Sequence, residues 1–453
     1  MIVVNEANIT KSIFKIAIPT VIEQMLIMIV GVVSLAFVGR LNNEAVTAVG
    51  FINSLFGFIQ VFFVALSTGC TVVIARLIGE GNVNMAKSAI KQCVVIGFAI
   101  SSVFAVCLIL FARPVIVAFF GGAEQIVIDM ATKYFKITLI TLPLMFANII
   151  ISGSLRGAGD TKTPMLIANI VNILNIVLCY VLIYGISIGD FSIAKMGVTG
   201  AAIAVCISRG VGGLLSLFVV LNKTVLLSFS LKGRLLIDFP LLKRILHVGI
   251  PASLEQLIMQ GGFLLLQVVI SRMGTESSTV YQIVMSINSI CFVPIFGFGI
   301  SATTMVGQSL GAKRIDLAKK SGWQTIKICL CITVVLSSLL FIFAGNLIRI
   351  YTNDITIISI GVGAIRLFSF SQPFVSIVTV VSNALRGAGD MAYVMLTSFI
   401  GIWCLRLLVT FGLDYLFKIG INAAWIALFL DFFIRAMMYL VRFRKGKWTN
   451  ITI

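Results

Sequence analysis

The chain has 453 residues, of which 59% are hydrophobic and 11% charged, with a mean hydropathy of +1.12. Soluble domains carry about 25% charged residues, so this composition excludes an ordinary soluble fold and indicates a polytopic membrane protein. The formal net charge of +18 lies between long apolar runs, where it reads as an orientation signal and argues against a nucleic-acid surface.

Runs of about 18 or more mainly apolar residues predict twelve spanning helices, near 14–38, 46–74, 92–112, 131–152, 164–185, 198–221, 246–270, 279–305, 324–345, 359–382, 392–412 and 422–441. The first run is read as a span and not as a secretory signal, because Asn5 and Glu6 interrupt the basic segment and no small-residue cleavage site follows. That span starts on "IPTVIEQ" (Ile18–Gln24) and carries Ser34 eleven residues beyond Glu23. At 100° per residue this is three turns and about 20°, so Glu23 and Ser34 share a face.

Between the fourth and fifth spans the chain reads "SLRGAGD" (Ser154–Asp160), and "ALRGAGD" (Ala384–Asp390) follows the tenth span. A glycine-rich phosphate cradle would need a nucleotide-binding βαβ unit, which the pattern lacks, so both are read as helix-ending turns at the membrane surface. No Walker-type motif occurs. The fifth span carries Asn169, Asn172 and Asn175, and the sixth carries Arg209. The seventh span starts on "IPASLEQ" (Ile250–Gln256) and extends a polar stripe through Gln260 and Gln267. Arg406 lies in the eleventh span, and Asp431 and Arg435 lie one turn apart in the twelfth.

These landmarks make the chain two copies of one unit. "IPTVIEQ" matches "IPASLEQ" at an offset of 232, as "ARLIGEGNVNMAK" (Ala75–Lys87) matches "GQSLGAKRIDLAK" (Gly307–Lys319), and the two RGAGD stretches match at 230. Six spans per copy is an even number, so both halves enter from the same side, a parallel repeat of the kind secondary transporters use. The expected fold is therefore an all-α polytopic membrane protein with twelve transmembrane helices in two six-helix bundles. Its expected divisions are an N-terminal lobe (1–222), a cytoplasmic linker (223–245), a C-terminal lobe (246–441) and a basic cytoplasmic tail (442–453). Of the 34 Lys and Arg residues, 22 fall on one side and 8 on the other. The positive-inside rule then places a multi-pass protein in the cell membrane with both termini cytoplasmic.

Of sixteen carboxylates, only Glu23, Glu255 and Asp431 lie well within spans. Such a group costs about 2.5–3.5 kcal/mol at a helix centre and needs a partner, a wet cavity or a proton. Glu23 and Glu255 hold equivalent places, each followed by a glutamine, Gln24 and Gln256. If the halves face each other, these acids line an aqueous path and bind a cation or exchange a proton; otherwise they reach headgroups or cap neighbouring helices. Asp431 with Arg435 and Arg406 reads first as a structural charge network and second as an ion-coupling site. Arg209 occupies the place of Asp431 in the first half and needs an acid or a wet surface, with Glu23 as one candidate. The asparagines suit interhelical hydrogen bonds as well as a substrate path.

The Pro-x-x-x-Glu-Gln starts at Pro19 and Pro251, the paired RGAGD turns, the Asn-rich fifth span and the twelve spans resemble the multidrug and toxic compound extrusion (MATE) transporters over nearly the whole chain. The resemblance implies two six-helix bundles, a central cleft lined by the first, second, seventh and eighth spans, and antiport of organic cations against H⁺ or Na⁺. Many members carry an Asp in the first span, fifteen residues after the helix-start proline, that serves in cation coupling. Here that position is Ser34, which shifts weight to Glu23, Glu255 and Asp431.

The expected partners are small cationic molecules, H⁺ or Na⁺ and membrane lipid, with no nucleic acid, no cofactor and no metal, in a monomer. A flippase for lipid-linked oligosaccharide is the alternative, although its pyrophosphate would favour a cationic cleft. One histidine, His247, and no metal-ligand spacing argue against an enzyme.

Overall fold

A computed structural model of the protein describes residues 8–188, 191–222, 225–230 and 238–451. Asn5, Glu6, Lys223, Lys232, Arg234 and the last two residues of the expected tail lie outside the described residues.

The first half contains α1 (Ile9–Gly39), α2 (Asn43–Gly79), α3 (Val83–Leu110), α4 (Ala112–Phe120), α5 (Gln125–Leu139), α6 (Leu142–Gly157), α7 (Lys162–Tyr184) and α8 (Gly197–Leu221). The second contains α9 (Phe239–Arg272), α10 (Thr275–Gly311), α11 (Ile315–Ile342), α12 (Ala344–Arg349), α13 (Ile355–Ser369), α14 (Gln372–Ala388), α15 (Met391–Phe399), α16 (Leu408–Phe417) and α17 (Asn422–Lys445). Among the described residues, ten helices are long and apolar enough to cross a membrane, or twelve when each of two bent pairs counts as one span.

Those pairs fall at the expected fourth and tenth spans, each of which is broken into two helices. The α5–α6 pair bends by 56° and the α13–α14 pair by 47°. In each pair a proline (Pro143, Pro373) stands in the first turn of the second helix. There its missing N–H costs no hydrogen bond, while its ring disfavours helix in the residue before it. The eleventh span is also irregular, with a π-helical stretch over Ile400–Leu407 joining α15 to α16. A short antiparallel strand pair, β1 (Ile186–Ile188) and β2 (Phe191–Ile193), follows α7 in a register that pairs Ile186 with Ile193. The period of the spans gave no sign of it.

By internal contacts the chain forms two compact units. One comprises Ile22–Ile74 and Asn82–Gly249, and the other comprises Met1–Val21, Ala75–Gly81 and Ile250–Ile453. In the first unit, Ile52, Phe135 and Phe146 are fully buried in a core built by α2, α3, α5, α6 and α8. In the second, Trp425, Tyr439 and Phe443 of α17 pack with residues of α10, α11 and α14.

The divisions between units fall within α1, within α2, between α2 and α3, and within α9. The start of α1 packs in the second unit, where Ser301 Oγ donates to the Ile13 carbonyl at 3.4 Å and Phe14 meets Phe298 edge to face at 5.8 Å. The start of α9 packs in the first unit, where Gly249 lies so close to the Ala65 carbonyl that a Cβ would collide with it. Pro19 and Pro251 sit inside α1 and α9, close to the divisions in those helices.

Candidate functional site

Each RGAGD stretch ends a helix in the same way. Gly159 and Gly389 adopt φ values of +90° and +89°, the left-handed region that favours glycine. The amides of Asp160 and Asp390 reach back to the Leu155 and Leu385 carbonyls, both at 2.9 Å. This is the 6→1 closure of a Schellman cap. The preceding glycines serve close helix approach. A Cβ on Gly157 would strike the Thr71 carbonyl of α2, and one on Gly387 would strike the Thr303 carbonyl of α10. Thr71 and Thr303 are themselves equivalent at the repeat offset of 232.

This geometry holds Arg156 and Arg386 inside their units, and each meets a span carboxylate. Arg156 Nη2 donates to Glu23 Oε1 at 2.8 Å, and Arg386 Nη2 donates to Glu255 Oε1 at 2.7 Å. Both glutamates are buried, at 4% exposure. Their environments differ in one respect. Ser398 Oγ also donates to Glu255 Oε1 at 2.9 Å, whereas Glu23 Oε2 is buried without a hydrogen-bond partner among the described residues. Gln24, Gln256 and Gln260 stand beside the glutamates on α1 and α9, each half-buried.

The sequence reading of the RGAGD stretches as surface turns covers the glycines and leaves Arg156 and Arg386 without partners. The signal for a pair was available, because each RGAGD arginine recurs in step with the glutamate of its own half. Arg209 does not meet Glu23, because that carboxylate belongs to Arg156. Arg209 instead lies over the Phe56 ring, 4.8 Å from its centroid.

In the second unit Asp431, Arg435 and Arg406 come together. Arg435 Nη2 donates to Asp431 Oδ2 at 2.7 Å, Arg435 Nε pairs with Asp431 Oδ1, and Arg406 Nη2 lies 2.6 Å from Asp431 Oδ2. Arg406 comes from the π-helical stretch, and Gly401 of that stretch lies so close that a Cβ would collide with Asp431 and Arg435. Both guanidinium groups also lie over Phe432, at 5.0 and 5.1 Å. Two cations on one anion leave a net positive charge, which the ring faces partly compensate.

Ser34 lies in the first unit. Its hydroxyl donates to Asn175 Oδ1 at 3.1 Å, and both residues line a cavity of about 320 Å³ between α1, α2, α5, α7 and α8. The cavity is lined as well by Asn53, Tyr134, Asn172, Ser208 and Arg209, with no carboxylate among them.

Two repeats of membrane-crossing helices, each with a buried ion pair, define a polytopic membrane protein with an internal repeat. The MatE family model matches residues 19–181 and 251–411, one stretch in each repeat. The chain is 32% identical to the probable multidrug resistance protein NorM of Thermotoga maritima, over 97% of this chain and 93% of that protein. It is 28% identical to the uncharacterized transporter YisQ of Bacillus subtilis, over 98% and 96%. Among solved structures, an outward-facing multidrug resistance MATE transporter of the MOP superfamily superposes with a TM-score of 0.88 at 21% identity, over 97% of this chain and 96% of that one. A mutant of the Vibrio cholerae MATE transporter VcmN superposes equally, with a TM-score of 0.88 at 21% identity over 97% of each chain. The chain belongs to the MatE family.

Proposed function

We propose that the protein exports lipophilic organic cations across the cell membrane, in exchange for H⁺ or Na⁺, as a monomer with both termini in the cytoplasm. The observation that carries this reading is the buried carboxylate–guanidinium pair built twice, Glu23 with Arg156 and Glu255 with Arg386. Charges held within spans are costly and mark ion or substrate paths in membrane proteins. The relatives described as multidrug resistance proteins support the cargo class.

In this mechanism each glutamate passes between its arginine, the cargo cation and the coupling ion. Glu23 Oε2, which lacks a partner, is the open acceptor for a proton or a cation. A proton on either carboxylate removes the charge that holds both the cargo and the arginine, so cargo and coupling ion exclude one another. Gln24, Gln256 and Gln260 offer neutral hydrogen bonds beside the acids, and Asp431 with its two arginines fixes the packing of α17 against the π-helical stretch. One charge crossing 100 mV supplies about 2.3 kcal/mol, enough to drive a concentration ratio of more than tenfold.

Ethidium accumulation in cells expressing the protein tests the assignment. The Glu23→Gln/Glu255→Gln variant should accumulate ethidium to the level of cells without the transporter, at unchanged membrane abundance. Full export by that variant would overturn the role of the two acids.

A further inference from the structure

The cavity of the first unit has the wrong polarity for a cation. Its one charged lining residue is Arg209, which shares the lining with Tyr134, Asn172 and Ser208 and with no carboxylate. Arg209 Nη1 is buried and has no hydrogen-bond partner among the described residues, and the same holds for Asn172 Nδ2. Asn175 Oδ1 is occupied by the Ser34 hydroxyl at 3.1 Å. Two unfilled donors therefore belong to the lining of a space that holds no carboxylate. Arg209 is half-buried and has the Phe56 ring face against it, so a negative group from outside the chain would be stabilised on its free Nη1.

The internal repeat shows what such a guanidinium is paired with in the same protein. Aligning "GAAIAVCISR" (Gly200–Arg209) with "NAAWIALFLD" (Asn422–Asp431) puts Asp431 at the place of Arg209, and the buried arginines there, Arg406 and Arg435, both hold that carboxylate. The first unit has the guanidinium and a cavity where the second has the carboxylate. The rest of the cavity wall is largely aliphatic, including Val30, Leu35, Val171 and Val205. A volume of about 320 Å³ lies within the range of small-molecule pockets, about 300–1,000 Å³.

We propose that this cavity binds an apolar molecule carrying one carboxylate, with the carboxylate on Arg209 and Asn172 and the apolar body against the aliphatic wall. The site is separate from the Glu–Arg pairs, and its occupancy is an equilibrium property that needs no ion gradient. Its failure would leave the export reading intact, and failure of the export reading would leave this site intact.

Calorimetric titration of the purified protein in detergent, in chloride-free buffer, tests it with 2-naphthoate, the uncharged 2-naphthamide and sodium chloride as separate probes. Saturable binding of 2-naphthoate to the wild type is expected, with 2-naphthamide at least about tenfold weaker, the difference of a charge-assisted hydrogen bond. Arg209→Gln should weaken 2-naphthoate binding by a similar factor, and Arg209→Lys should restore part of it. Ser34→Asp keeps the arginine and adds an internal counter-charge to the cavity, so it should also abolish binding while preserving the fold if Arg209→Gln does not fold. Equal binding of acid and amide, no saturable binding to the wild type, unchanged binding by Ser34→Asp, or binding of chloride without naphthoate would each overturn the proposal.

Discussion

Glu255 receives two hydrogen bonds on one oxygen, from Arg386 at 2.7 Å and Ser398 at 2.9 Å. Removing the arginine leaves a buried anion with a hydroxyl donor alone. Arg386→Gln is therefore expected to lower stability by about 1–3 kcal/mol, read as a reduced melting temperature in detergent. Adding Glu255→Gln should recover part of that loss, because the uncompensated charge disappears. Additive losses from the two substitutions would show that the pair contributes no coupling. The acids of these pairs were legible in the sequence, since an ionisable residue within an apolar run stands out. Their partners were not, because the 133 and 131 residues separating them carry no periodic signal. Arg156 and Arg386 also satisfied the positive-inside rule by themselves, which concealed their second role.

The helix-ending turns make sharper predictions than the spans they terminate. Gly157→Ala and Gly387→Ala place a methyl group against the backbone of α2 and α10, which cannot move as a flexible side chain can. Each should cost about 1–3 kcal/mol in thermal denaturation. Gly159→Ala and Gly389→Ala put a side chain on left-handed backbone and should cost about 1–2 kcal/mol from that alone. The sequence showed that RGAGD was a turn, but one motif held two different glycine requirements, and only the neighbouring helices separate them.

The charge network between α17 and the π-helical stretch has its own test. Asp431→Asn leaves two buried arginines without an anion and should cost about 3–5 kcal/mol. Replacing all three residues by apolar ones of similar volume should recover most of that loss. Full stability of Asp431→Asn alone would mean that the arginines find another anion. The three residues were legible from their spacing and their neighbouring spans. The π-helical turn that carries Arg406 was not, since it adds no distinctive residue to an apolar run.

The repeat is the feature of the whole molecule that the sequence displays best, because three landmarks recur at two offsets, and the matched family stretches 19–181 and 251–411 follow it. The compact units depart from it at the starts of α1 and α9 and at the end of α2. That exchange depends on which helices a segment touches, and hydropathy is equal on both choices. The two prolines inside α1 and α9 mark the neighbourhood of the exchange without revealing it. The broken spans have a similar explanation, since an apolar run of sufficient length reads as one helix even where Pro143 or Pro373 begins a second.

The central claim is that the paired glutamates couple cation export to an ion gradient. Ethidium transport by the purified protein in proteoliposomes tests it most directly, with pH and Na⁺ gradients imposed separately on the wild type and on Glu23→Gln/Glu255→Gln. The account predicts wild-type transport driven by one of the two gradients, abolished when that gradient is collapsed, and absent in the variant under both. Gradient-driven transport by the variant at the wild-type rate, or wild-type transport indifferent to both gradients, would contradict it.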